Sequence, residues 1–282
     1  MKDSIILSHV QAESIMMAWQ EHKTSAIVSP DLGLSTLQVY LSPKGILFPN
    51  GKQVDWKSID KIATSKNKCY IIRDQETSEI KLFSEYTNRV YSLYPTTGAP
   101  TMLISGIPMH RIKDTEPHQD TLQKIKAITP IVGRVLDTAT GLGYTAIEAA
   151  KYVEKVVTIE LDPVALEIAR LNPWSQALFD NQRIEQIIGD SFEELRKLDD
   201  SSFSRIIHDP PAFSLAGDLY SEVFYRELLR VLRERGRLFH YIGDPESKSG
   251  HTTTVGVVHR LRQAGFTRVF PKPKAFGVVA IK

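Results

Sequence analysis

The sequence predicts an α/β chain in two parts: a small strand-rich domain, then a doubly wound sheet of seven strands whose last strand is reversed. Three observations carry this. From about residue 130 onward, apolar strands alternate with amphipathic helices, as a parallel sheet requires. The segment Arg134–Ala150 runs from an apolar strand through a loop with Gly141 and Gly143 into a helix of small residues, a turn that lets backbone and helix N-terminus approach a ligand. The last two strands are joined only by a short link bearing Pro271 and Pro273, so they form a hairpin and one runs antiparallel.

The chain is expected to divide into a small α+β domain over 1–105, a linking helical segment over 106–130 and the main domain over 131–282. The first part reads as a helix near 4–22, then strands at 36–42, 45–48, 69–73, 79–83, 89–94 and 101–104. Turns fall at Ser42–Gly45, Pro49–Gly51 and Thr97-Gly98, where φ-permissive residues gather. A helix over 114–128, capped by Asp114 and with Leu122, Ile125 and Ile128 on one face, leads into the sheet. The sheet strands are 134–138, 156–161, 183–188, 204–208, 236–242, 266–271 and 276–281, with helices near 144–153, 163–171, 191–198, 219–233 and 252–264. Pro163 suits a first helical turn and Gly265 a helix end.

Composition bounds the function. The chain has 282 residues, a formal net charge of +2 and one cysteine, Cys69, so it holds no internal disulfide and fits a reducing cytoplasm. The first residues lack the apolar core of a signal peptide, and no stretch approaches the roughly 20 apolar residues of a membrane helix. No Cys/His pair has metal-ligand spacing, so no metal is expected. Near-neutral charge disfavours a protein that coats long nucleic acids. Arg226, Arg230, Arg233, Arg235 and Arg237 crowd one predicted helix end, read first as a solvated face and second as part of a phosphate-tracking surface.

In open α/β sheets, ligands lie beyond the carboxyl ends of the strands. Four such ends carry informative residues: Asp137, Glu160, the Asp190-Ser191 pair, and Asp209-Pro210-Pro211. Glu160 is placed to hold the two hydroxyls of a ribose, and Asp190 to read an adenine amine or to cap the helix after it. Gly141-x-Gly143-x-x-Ala146 also fits a dinucleotide loop. Asp137 lies four residues before Gly141, however, and would repel a pyrophosphate while suiting an ammonium. The two prolines stop a strand and leave carbonyls free, so Asp209 and the Pro210 carbonyl form an acceptor pair for an amine. His208 is read as turned away from Asp209 by strand alternation, and His240 as a core histidine. His110 and Arg111 are candidates for an acidic group of cofactor or substrate, or for a surface ion pair.

The Asp137-x-x-x-Gly141-x-Gly143 pattern with its downstream acid resembles class I S-adenosylmethionine-dependent methyltransferases. Residues from about 90 onward also resemble a mainly archaeal family of predicted methyltransferases, through Gly106–Arg111, Asp137–Glu148, Leu171–Ser175 and His208–Gly217. The resemblance implies a Rossmann-like class I methyltransferase sheet and S-adenosyl-L-methionine as cofactor. It implies a cofactor set of Asp137, Ala139, Gly141, Gly143, Tyr144, Glu160, Leu161, Asp190 and Ser191. The acceptor, a small amine or an RNA base nitrogen, would meet Asp209 as catalytic group, with Pro210, Pro211, Phe213, Tyr220, His110 and Arg111 around it. Asp209-Pro210-Pro211-Ala212-Phe213 departs from the Asp/Asn-Pro-Pro-aromatic motif of amino-group methyltransferases by one residue, and no cysteine lies near it for carbon methylation. The stretch Ser214–Tyr225 also resembles spermidine synthases, which makes aminopropyl transfer the alternative. Their second aspartate would fall at Ile206. A third reading is a non-catalytic RNA-binding module. No membrane partner is expected, and a homodimer is allowed.

Overall fold

The computed structural model describes residues 4–73, 76–213 and 216–282, with the side chains of Lys248 and Ser249 left aside. The chain forms two compact units, one of residues 1–117 with 167–176, the other of 118–166 with 177–282.

The first unit opens with β1 (Ile5–Ser8) and α1 (His9–Gln20), followed by β2 (Ser25–Val28), β3 (Leu37–Ser42), β4 (Gly45–Leu47) and β5 (Gln53–Val54). Then come α2 (Trp56–Thr64), β6 (Cys69–Arg73), β7 (Glu76–Glu79), β8 (Lys81–Ser84), β9 (Arg89–Tyr94), β10 (Thr101–Ile104) and β11 (Ile107–Pro108). They pair as three small sheets, ordered β1-β6-β7, β2-β3-β4-β5 and β11-β10-β9-β8. One apolar cluster, including Leu7, Ile15, Val39, Ile46, Ile59 and Ile62, fills this unit. The helix expected over 4–22 is shorter because its first residues are a strand. A capping box at Ser8, with Gln11 reaching back to the Ser8 backbone, fixes where the helix starts. The strand expected over 79–83 divides into β7 and β8. Helix α2, capped by Asp55, was not expected at all.

The second unit carries nearly all of α3 (Pro117–Ala127), β12 (Arg134–Asp137), α4 (Tyr144–Ala149), β13 (Lys155–Glu160), the start of α5 (Pro163–Leu171), which continues into the first unit from Glu167, then α6 (Gln176–Asp180), β14 (Ile184–Ile188) and α7 (Ser191–Arg196). It ends with β15 (Phe203–His208), α8 (Glu222–Val231), β16 (Leu232–Tyr241), α9 (Lys248–Gln263), β17 (Arg268–Lys272) and β18 (Gly277–Ile281). The sheet order is β14-β13-β12-β15-β16-β18-β17. Strands β12 to β16 run parallel, while β18 enters antiparallel between β16 and β17. The predicted α/β Rossmann-like sheet with a reversed last strand is therefore the one observed. Its strand order switches at β12 and β15, and ligands in such sheets lie beyond the carboxyl ends at that switch.

Two expectations here are corrected. Asp114 does not cap the linking helix: it sits in the left-handed region at φ 58°, and α3 starts three residues later at Pro117. The arginines do not crowd one helix end, because α8 stops at Val231 and Arg233, Arg235 and Arg237 lie on β16. Elsewhere the limits shift: α4 ends at Ala149, short of the expected 153, and α9 begins four residues before the expected 252.

Candidate active site

The site is built from the carboxyl end of β12. Gly141 and Gly143 take φ 52° and 77°, the left-handed conformation that glycine adopts without a Cβ penalty. A Cβ on Gly143 would also lie 2.7 Å from Leu178, so two independent constraints require glycine there. The loop closes on the neighbouring strand. Gly141 N–H donates to Glu160 Oε2 at 2.8 Å, and Asp162 N–H donates to Glu160 Oε1 at 3.1 Å. Burial pushes the Glu160 carboxyl above its ordinary range against these hydrogen bonds.

Asp137 is paired in register with Thr158. Residues two apart on a strand share a face, so Asp137, Thr158 and Glu160 lie on one side of the sheet. Asp137 is fully buried. Its Oδ2 accepts from Thr145 at 3.0 Å and from Thr158 at 3.1 Å, while its Oδ1 has no hydrogen-bond partner. Burial, opposed by the two threonines and reinforced by the charge of Asp209, raises its pKa to about 7. A buried carboxylate with an unmatched oxygen suits a cationic ligand group.

Around these lie the other predicted cofactor residues. The backbone N–H of Ala139 lies near enough to Asp137 to favour its ionised form, and Tyr144 opens α4 as a buried residue. Leu161 is exposed just beyond β13. Asp190 caps α7, accepting from Phe192 N–H at 2.7 Å, and Ser191 Oγ donates to the Thr138 carbonyl at 2.6 Å.

Asp209 follows β15, and here the structure shows what the sequence did not. The Lys124 ammonium, on α3, donates to Asp209 Oδ2 at 2.6 Å and lies 2.9 Å from Asp120 Oδ2. It also stands 4.6 Å from the centre of the Tyr241 ring. Burial alone would depress the Lys124 pKa, but the charges of Asp209 and Asp120 outweigh it and hold the group above its ordinary value. The acceptor role of Asp209 is thus shared with a lysine of the chain itself. The carbonyls after Asp209 are not both free either: Tyr220 Oη donates to the Pro211 carbonyl at 3.0 Å. Tyr220 is buried and Phe213 exposed, their rings edge to face at 5.3 Å. Of the loop expected over the site mouth, Ser214 and Leu215 lie outside the described residues.

His208 points to the other face, as alternation requires. Its Nε2 lies 2.9 Å from the Leu219 carbonyl and its Nδ1 2.7 Å from Thr138 Oγ1. Burial pushes it down to about 3, so the ring is neutral. Nε2 must donate to the carbonyl, and Nδ1 then accepts from the Thr138 hydroxyl. Ile206, at the position of the second aspartate of spermidine synthases, is fully buried in β15. In the first unit, His110 Nδ1 lies 3.0 Å from Thr101 Oγ1, and Arg111 is half-buried. No helix among the described residues is long and apolar enough to cross a membrane.

Residues 131–266 match the spermine/spermidine synthase domain. The uncharacterized protein MJ1233 of Methanocaldococcus jannaschii is 46% identical over 237 residues, covering 83% of this chain and 80% of that one. A polyamine aminopropyltransferase of Sulfolobus acidocaldarius is 28% identical over 48% of this chain and 46% of its own length. The polyamine aminopropyltransferase 2 of Streptomyces coelicolor is 31% identical over 48% of this chain and 26% of its own, so this chain spans less than half of either enzyme. Among solved structures, a spermidine synthase in complex with the transition-state analogue AdoDATO has TM-score 0.58 at 23% identity, with 71% of both chains covered. The spermidine synthase of Thermotoga maritima has TM-score 0.56 at 20% identity, over 74% of this chain and 75% of that one. At these identities the likeness is one of fold.

Proposed function

The chain belongs to the family of the uncharacterized protein MJ1233, and from that premise we propose that it is a transferase taking an adenosyl sulfonium donor and an amine acceptor, with aminopropyl transfer as the leading reaction. The sequence reading ranked methyl transfer first. The matched domain and the aminopropyltransferase likenesses support the reverse order.

One observation carries the choice. Asp120 and Asp209 contact a single buried ammonium, Lys124, and Asp137 is close enough to Asp209 to feel its charge. Asp137 also keeps a buried Oδ1 with no hydrogen-bond partner. This pair of neighbouring carboxyls favours a donor whose tail ends in an ammonium and opposes one that also carries a carboxylate, as S-adenosyl-L-methionine does. Asp137 Oδ1 would receive the ammonium, and Glu160, held by the Gly141 backbone, would orient the ribose. Asp190 would meet the adenine edge, with Ala139, Tyr144, Leu161 and Ser191 lining the nucleoside. The sulfonium makes the carbon beside it electrophilic. The chain's own contribution is to place the amine in line with that carbon, through Asp209 and the Pro210 carbonyl, under Phe213 and Tyr220.

Methyl transfer to nitrogen stays the second reading because of Ile206. A buried isoleucine stands where the resemblance to spermidine synthases places a second aspartate, so that carboxylate is missing here. Titrating the chain with S-adenosyl-L-methionine and with its decarboxylated form separates the two. The decarboxylated donor is expected to bind at least about tenfold tighter and to yield an aminopropylated diamine by mass spectrometry. Tighter binding of the carboxylated donor with a methylated product overturns the leading reading in favour of the second.

A further inference from the structure

We infer that Lys124 is a positioning residue of this site: it holds Asp209 ionised and in one orientation, so that Asp209 receives the acceptor as a cation rather than taking its proton. The inference rests on the transferase reading for the identity of the acceptor, but not for the state of Asp209.

The geometry is that of a fixed pair with one open side. The side chains of Lys124 and Asp120 are 1% and 0% exposed, whereas Asp209 keeps 16%. Of the three, only Asp209 reaches the surface. Lys124 gives its aligned hydrogen bond to Asp209 Oδ2, its charge to Asp120 one helical turn earlier, and its remaining side to the Tyr241 ring. A buried ammonium matched by two carboxylates stays charged; burial pushes the Asp209 carboxyl above its ordinary range, and the Lys124 charge and its 2.6 Å hydrogen bond work against that push. Among the described residues, the charged and titratable groups that interact with Asp209 are Lys124 and Asp120 from α3, Asp137 from β12 and Tyr220 from the loop before α8, with Tyr241 from β16 against Lys124.

The consequence concerns the acceptor. It enters as an ammonium drawn to Asp209 and loses its proton to solvent. Its nitrogen then forms the new bond to carbon while the carbon–sulfur bond breaks and the thioether leaves with the electron pair. The pH dependence of turnover then follows the amine's own pKa and not that of Asp209.

The test uses the full chain and a short aliphatic diamine, 1,4-diaminobutane. The carboxyl carbon of Asp209 is followed by NMR from pH 5 to 9, and diamine binding by calorimetry over the same range. In the wild type the Asp209 signal is expected not to titrate. In the double variant K124M/D120N, which removes one buried cation with one buried anion, Asp209 is expected to titrate within that range. Diamine affinity should then fall by about tenfold below its midpoint, and K124R should restore both. An Asp209 that titrates between pH 5 and 9 in the wild type overturns the proposal without any variant. So does a folded K124M/D120N protein with wild-type diamine affinity at every pH. A wild type in which Asp209 stays ionised but no diamine binds supports the role of Lys124 while refuting the amine-transfer reading.

Discussion

The two faces of the seven-stranded sheet bury polar groups in opposite ways. On one face Asp137, Asp120 and Lys124 are buried and Asp209 is half-buried, all as charged or charge-prone groups. On the other, His208 and His240 lie with ring centres 4.4 Å apart and planes tilted by 57°, as neutral rings bonded to Thr138, the Leu219 carbonyl and the Tyr225 hydroxyl. Neutral hydrogen-bonded groups can be enclosed at modest cost, whereas enclosed charges cost several kcal/mol each unless matched. The histidine face is complete as it stands, one ring nitrogen aside. The carboxylate face keeps Asp137 Oδ1 enclosed without a hydrogen-bond partner, the position that the proposed reading gives to a substrate ammonium.

The sharpest way to break this comparison is Lys124→Met. It leaves the buried Asp120 carboxylate and the half-buried Asp209 carboxylate facing each other and should cost about 3–5 kcal/mol of unfolding free energy, read from urea denaturation at pH 7. A loss under about 1 kcal/mol would mean that the charged face is no more demanding than the histidine face. Asp209→Asn comes next. It keeps the shape and removes the charge that draws the amine, so transfer should fall about 100-fold or more while nucleoside binding by calorimetry changes little. Equal loss of both would place Asp209 with the donor instead.

Asp137 sharpens the contrast through pH. Its folded-state carboxyl titrates near 7, against an ordinary value of 3.8. Between those values the unfolded chain has released a proton that the folded chain still holds. Stability therefore falls as pH rises through that window and levels off above about 7. Asp137→Asn should flatten the dependence: melting temperatures matching wild type near pH 4 and exceeding it at pH 8, with weaker nucleoside binding. A wild-type melting temperature that is constant from pH 4 to 7 would contradict this assignment.

What the sequence made legible follows the range of the interactions. The glycine loop, the strand-end acids and the Pro163 start of α5 were readable because each is fixed by neighbours within a few residues. The reversed final hairpin was readable for the same reason. The ion pair of Lys124 and Asp209 joins residues 85 apart in sequence, and no local pattern announces it. One signal was present: Lys124 stands beside Ile125 and one turn before Ile128, on the apolar stripe of its helix, where a lysine is out of place unless paired. The Ser8–Gln11 capping box and Asp55 ahead of α2 were also local, and they were overlooked because strand-rich patterning dominates that region. Which oxygen of Asp137 is left unmatched depends on two threonines from separate elements, so only the fold could reveal it.

The smallest expected effect lies on the histidine face and tests its neutrality. Tyr225 Oη and His240 Nε2 are 2.8 Å apart, and His240 Nδ1 is buried with no hydrogen-bond partner. Tyr225→Phe alone strands the second ring nitrogen as well and should cost about 1–3 kcal/mol. Adding His240→Leu removes both stranded nitrogens together. The pair Y225F/H240L should then return to within about 1 kcal/mol of wild type at pH 8, where the buried ring and the unfolded histidine are both neutral; in acid the open chain takes up a proton near its ordinary 6.5. That last exchange fixes the sign of the residual: wild type should lose stability relative to the double variant only as pH falls below about 6.5, where the unfolded histidine gains a proton that the buried ring refuses. The opposite trend, wild type gaining on the double variant in acid, would mean that the buried ring carries a charge, and the two faces of the sheet would no longer differ in kind.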